Sequence, residues 1–219
     1  LEQFYHAARW RLLGPQYAPL REQFMDRKPK VRPTVRKILI STGGTDPFGM
    51  AERLREILRG QRTDSLIKGG NAEDSRSVQE KKGLFPRCEL AFLAPGYPRV
   101  EKVADLFATC DLAVSAAGTT LYELCACGVP TLAFSMADNQ ALFARQMAAK
   151  GAVTYLGDVR DEAVRAALAG KVTDWILARS GGENPESGFL LRQQESLRML
   201  ALTDGLGSRR IARAMLESR

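Results

Sequence analysis

Histidine is almost missing from this chain: there is one, His6, in 219 residues. A single imidazole cannot complete a metal centre, and no metal or cofactor is expected. Cysteine is sparse too, at positions 88, 110, 125 and 127, and no spacing among them is that of a ligand set or a redox pair. Cys125 and Cys127 fall on a predicted helix, where residues two apart face different ways. Free buried thiols of a reducing cytosol are the expectation, hence a cytoplasmic protein. The sequence has no run of eighteen apolar residues and no signal-like amino terminus, so a soluble chain without a membrane span is expected. It also lacks internal repeats and low-complexity tracts.

What is present is a globular composition, 45% apolar, enough for one good-sized core. Lysine and arginine outnumber the acids 32 to 25, for a net charge of +7. The densest basic run, Arg27 to Arg32, is punctuated by Pro29 and reads as a surface connection. Without an aromatic-interleaved basic platform or zinc-finger spacing, nucleic acid is not the expected partner. A small anion such as a nucleotide fits the charge better.

The chain is organised around Cys110 to Gln140. Asp111 to Ser115 reads as a buried strand, Gly118 breaks it, and Thr119 to Cys127 reads as a helix that Gly128-Val129-Pro130 stops. Thr131 to Phe134 is the next strand, and Asp138-Asn139-Gln140 opens the next helix. The helix start at Gly118 offers unpaired N–H groups and a positive dipole end beside Thr119 and Thr120, a place for phosphate. Glu123 leans back toward the same mouth and could accept from a ribose diol. Thr120 and Glu123 also fit a capping box, which needs no ligand.

A second such turn lies earlier. Lys37 to Thr42 reads as a strand, then Gly43-Gly44-Thr45, then Asp46-Pro47 as cap and first residue of a helix to about Gly60. Paired glycines there let amides approach an anion, and a tight strand-to-helix turn is the plainer alternative. No lysine follows, so it is not a nucleoside-triphosphate loop.

The remainder alternates. Helices are predicted at Leu1 to Arg11, Ala18 to Met25, Glu73 to Lys82, Arg99 to Thr109 and Asn139 to Lys150, and strands at Ser65 to Lys68, before Gly69-Gly70-Asn71, and at Cys88 to Leu93. Val153 to Leu156 reads as an edge strand, and Asp161 to Leu168, Thr173 to Ala178, Ser187 to Leu200 and Ser208 to Leu216 as a helical tail. This alternation predicts a doubly wound α/β domain, Rossmann-like, with a parallel sheet of about five or six strands and its motifs on one rim. Residues 1–36 are expected to be a linker with lead-in helices and 37–219 the ligand-binding domain with its helical tail.

ILISTGGTDPF, the Cys110 to Gln140 stretch and TDGLGSRRIARAM together resemble the UDP-sugar hydrolases of pseudaminic acid biosynthesis and the related spore-coat polysaccharide proteins. LLGPQYAPLREQF is similar to the place where those proteins pass from amino- to carboxy-terminal domain. The resemblance covers about residues 12 to 216. More distantly the chain is similar to the carboxy-terminal domain of the N-acetylglucosaminyltransferase that makes lipid II.

The resemblance implies the carboxy-terminal half of a two-domain GT-B architecture that holds the UDP part of a nucleotide sugar. Gly43, Gly44 and Thr45 would line the diphosphate, Gly118, Thr119 and Thr120 would donate to it, and Glu123 would take the ribose hydroxyls. Asn139 and Gln140 would reach toward the sugar, and the backbone from Leu93 to Gly96 would face the uracil. It implies hydrolysis to UDP and a free 2,4-diacetamido-2,4,6-trideoxyhexose, with the catalytic histidine in an amino-terminal domain that this sequence lacks. His6 precedes the linker and reads as an ordinary surface residue, so this chain alone is expected to be inactive. A glycosyltransferase of the same architecture and a non-catalytic nucleotide-sugar-binding module are the competing expectations.

Overall fold

The computed structural model describes residues 11–60, 85, 88–182 and 184–217. His6, the predicted helices at Leu1 to Arg11 and Glu73 to Lys82, and the predicted strand at Ser65 to Lys68 with its following glycines lie outside them, Arg11 excepted.

Five parallel strands form one sheet: β1 (Lys37–Ser41), β2 (Glu89–Leu93), β3 (Leu112–Ala116), β4 (Thr131–Ser135) and β5 (Thr154–Asp158). Their order is β2-β1-β3-β4-β5, so β1 and β3 lie side by side, with Ser41 opposite Ser115. β3 and β4 are buried along their whole length, as expected of strands covered on both faces.

The helices are α1 (Met50–Arg59), α2 (Val103–Ala108), α3 (Thr120–Cys127), α4 (Asp138–Ala149), α5 (Glu162–Ala166), α6 (Leu168–Ser180), α7 (Pro185–Leu202) and α8 (Gly207–Glu217). Strand alternation sorts them. Ile38, Ile40, Leu112, Val114, Leu132 and Phe134 face α1 and α6 through Leu54, Ile57, Val172 and Ile176. Leu39, Ala91, Ala113 and Ala133 face α2, α3 and α4 through Phe107, Leu121, Leu124 and Met147. The alanines on that second face leave room for large helix side chains. The arrangement is the doubly wound, Rossmann-like α/β sheet that the sequence predicts.

Several boundaries differ from the sequence-based expectation. Ala18 to Met25 is not a helix; the segment makes two 3-10 turns, Pro15–Tyr17 and Glu22–Phe24. Pro19 has no amide to donate and holds Ala18 extended. α2 starts at Val103, later than the predicted Arg99, and the Ala104 amide donates to Gln23 Oε1 at 3.0 Å. α6 is longer than the predicted Thr173 to Ala178, running through Gly170.

The leading segment packs onto the domain. Phe24 is fully buried and lies 6.0 Å from the Phe107 ring, a burial that contributes roughly 1.5–3 kcal/mol. Arg192 of α7, also buried, donates to the carbonyls of Arg32 at 2.6 Å and Pro33 at 2.8 Å and to that of Arg179 at the end of α6. It thereby ties that segment to two helices. Burial pulls its pKa down. Gly128 ends α3 at φ 63°, where a Cβ would meet Ser196 Oγ at 2.6 Å, so glycine is required.

Candidate functional site

The carboxyl ends of β1, β3 and β4 bring the predicted residues onto one rim. Gly43, Gly44 and Thr45 follow β1, Gly118, Thr119 and Thr120 follow β3, and Asn139 and Gln140 sit in the first turn of α4 after β4. Because β1 and β3 are neighbours, the first two groups flank each other.

The amides of Gly43, Gly44 and Thr45 have no hydrogen-bond partner among the described residues, nor do those of Thr119 and Thr120. Gly43 has φ 77°, and a Cβ on Gly43, Gly44 or Gly118 would meet nothing within 4 Å among the described residues. Ser41 Oγ and Thr42 Oγ1, immediately before the first loop, are buried hydroxyls without a partner among the described residues. Unpartnered N–H groups on adjacent turns are donors that an anion could accept.

The two helix starts behind these loops are unlike. α1 does not start at Pro47 as predicted but at Met50. A reverse turn intervenes, with Gly49 left-handed at φ 60° and its amide donating to the Asp46 carbonyl at 3.2 Å. The Asp46 carboxylate reaches past this turn and accepts from Met50 N at 2.7 Å and Ala51 N at 2.8 Å. The positive end of α1 is therefore already neutralised. α3 has no side-chain cap among the described residues.

Nor does the capping box form. Glu123 turns its carboxylate to Arg21, whose Nη2 donates to Oε1 at 2.9 Å, and the carboxylate has no other hydrogen-bond partner among the described residues. The Glu123 side chain is 14% exposed, a largely sheltered carboxylate in the first turn of α3. In α4, Gln140 Oε1 accepts from Met136 N at 2.9 Å. This fixes the carboxamide and leaves its NH2 to donate elsewhere, while Asn139 is exposed. Arg160, after β5, bridges Asp158 at 2.8 Å and Asp138 at 2.6 Å. The rings of Tyr122 and Phe143, 4.8 Å apart, brace α3 against α4.

The cysteines take no part. All four are buried and free, and burial pushes Cys110 and Cys127 up to about 12 and Cys88 and Cys125 upward. Neutral thiols are poor nucleophiles. A cavity of about 170 Å³ lies at the opposite rim, among Arg27, Lys28, Lys30, Cys110, Asp111 and Cys127. It sits at the carboxyl ends of α2 and α3, where basic side chains offset helix carbonyls. Among the described residues no cluster of three or more His, Cys, Asp or Glu could hold a metal, and no helix is long and apolar enough to cross a membrane.

No protein-family model matches the chain. It is 26% identical over 163 residues to the spore coat polysaccharide biosynthesis protein SpsG of Bacillus subtilis (strain 168), a match covering 70% of this chain and 43% of that protein. The chain thus spans less than half the length of this curated relative. Among solved structures it is similar to the Streptomyces sp. SF2575 glycosyltransferase SsfS6 complexed with thymidine diphosphate, with 14% identity, TM-score 0.45, and coverage of 89% of this chain and 44% of that one. It is similar also to the glycotransferase of kitacinnamycin, with 16% identity, TM-score 0.41, and coverage of 88% and 46%.

Sequence reasoning missed Arg21 and saw only part of what Asp46 does. Arg21 sits in the leading segment 102 residues from Glu123, and no local pattern announces such a pair. Asp46 was visible as a cap, but its reach to Met50 and Ala51 depends on the left-handed Gly49.

Proposed function

We propose that this chain holds the nucleoside diphosphate of a UDP-sugar, as the carboxy-terminal half of a two-domain GT-B enzyme. The observation that carries the reading is the pair of adjacent loops, Gly43 to Thr45 and Thr119 to Thr120, with unpartnered amides beside the uncapped start of α3. Diphosphate oxygens would accept from these amides, and the α3 dipole would favour their charge. Glu123 Oε2, without a partner among the described residues, would accept from the ribose, while Asn139 and the Gln140 NH2 would meet the sugar. The backbone after β2, from Leu93 to Gly96, would face the base.

For the parent protein we propose a UDP-sugar hydrolase that releases UDP and a free 2,4-diacetamido-2,4,6-trideoxyhexose. Water would attack the anomeric carbon, the bond from that carbon to the diphosphate oxygen would break, and the water's proton would pass to a base outside residues 37–219. This chain's part is to stabilise the departing diphosphate with fixed N–H dipoles. The motif resemblance and the name of the Bacillus subtilis relative support a place in polysaccharide or nonulosonate synthesis. They support sugar transfer on the same nucleotide site equally, and the products decide between the two.

The test has two parts. Calorimetry with UDP on this chain should give saturable heat, and Glu123→Ala should weaken UDP roughly tenfold, the loss of a charge-assisted bond, while sparing inorganic pyrophosphate. No heat or thermal shift at millimolar UDP removes the reading. The longer protein, given a UDP-diacetamidotrideoxyhexose, should release free sugar without an acceptor. Release only when an acceptor is added makes it a transferase.

A further inference from the structure

We infer that Arg21 is a positioning residue that aims Glu123 at the pentose without touching the ligand itself. The inference rests on the nucleotide reading above and assigns a role that the sequence did not suggest. The Glu123 carboxylate has one hydrogen-bond partner among the described residues, Arg21, on one oxygen. A glutamate on a helix surface otherwise samples several rotamers. One tied oxygen restricts the side chain to the rotamers that keep the bond, and leaves Oε2 to accept from elsewhere.

Arg21 can do this because its own place is set by the core. Its guanidinium lies over the Phe24 ring, 5.2 Å from the centroid, and Phe24 is fully buried against Phe107. The chain of cause runs from a buried phenylalanine, through a cation on its ring, to a carboxylate in the first turn of α3. Arg21 itself is 56% exposed, and an ion pair whose cation is this open to solvent adds little to stability although Glu123 is sheltered. Its removal should therefore leave the fold intact while freeing Glu123 to move, so that binding must order it.

The experiment is calorimetry on the full 219-residue chain with UDP and with inorganic pyrophosphate. Wild type, Arg21→Ala, Arg21→Lys, Glu123→Ala and the double Ala variant are compared. Arg21→Ala should weaken UDP roughly two- to tenfold, the cost of ordering one freed side chain, with pyrophosphate unchanged. Arg21→Lys should recover most of that loss. The double variant should bind UDP no more weakly than Glu123→Ala alone, because Arg21 acts only through Glu123. Losses that multiply, or a fall in pyrophosphate affinity with Arg21→Ala, would mean direct contact with the phosphates and overturn the inference, as would unchanged UDP binding. A wild-type chain that binds neither probe overturns the nucleotide reading itself, which separates the two failures.

Discussion

The turns after β1 and β3 are built from similar residues, glycine and threonine leading into a helix, and they end in opposite ways. After β1 the chain supplies its own anion: Asp46 closes α1 through Met50 and Ala51. After β3 no side chain among the described residues does the equivalent, and there Thr119 and Thr120 keep their amides without partners. The first turn contributes exposed loop amides but no dipole, and the second contributes both. A diphosphate spanning them would lean on α3, since the Asp46 carboxylate repels charge on the α1 side. A helix that gives up a capping bond gives up about 1 kcal/mol, a cost that makes sense where a ligand supplies the missing acceptor.

The largest expected effect comes from making the second turn like the first. Gly118→Asp places a carboxylate at the α3 start, at a position where a Cβ meets nothing within 4 Å. The fold should tolerate it, and the new cap could add up to about 1 kcal/mol. Juxtaposed like charges should cost UDP binding about 2 kcal/mol or more, roughly thirtyfold. Calorimetry beside a melting curve reads both. Undiminished UDP binding would show that α3 does not hold the phosphates.

The converse change makes the first turn like the second. Asp46→Ala strips the Met50 and Ala51 amides of their acceptor and should cost about 1 kcal/mol, lowering Tm by roughly 2–4 °C for a chain of this size. Pyrophosphate should bind roughly two- to fivefold tighter as repulsion is lifted and the α1 dipole exposed. Weaker pyrophosphate binding would instead show that Asp46 holds the glycine loop in shape.

How far the sequence disclosed this contrast follows from the range of the interactions. Strands such as Lys37–Ser41 and Thr131–Ser135 were legible because burial on both faces demands an apolar run whatever the partner. The rim was legible as well, since Gly43, Gly118 and Asp138 each mark where a strand hands over to a helix. Which opening stays uncapped was not, because it turns on distance. Asp46 lies four residues from the amide it caps, and Glu123 deserts its local box for Arg21. Gln23 closing α2 from 81 residues away is the same kind of contact. Local patterns state which side chains could cap, and tertiary placement selects which do.

A third helix start extends the comparison to acid, with the smallest effect. Ahead of α8, Asp204 accepts from Leu206 N at 3.0 Å and pairs through both oxygens with Arg210, at 2.7 and 2.6 Å. The Arg210 hydrogen bonds hold its carboxyl down at about 2, against an ordinary 3.8. A carboxyl depressed by folding stabilises fully above its unfolded value, and the contribution fades as pH falls through the folded one. The window is therefore about pH 4 down to 2. Because the side chain is 40% exposed, the gain is discounted to about 0.5 kcal/mol, or 1–2 °C in Tm. Wild type should melt above Asp204→Asn at pH 5, and the gap should close by pH 2. A gap that persists at pH 2 would show that this turn is held by contacts other than its charge.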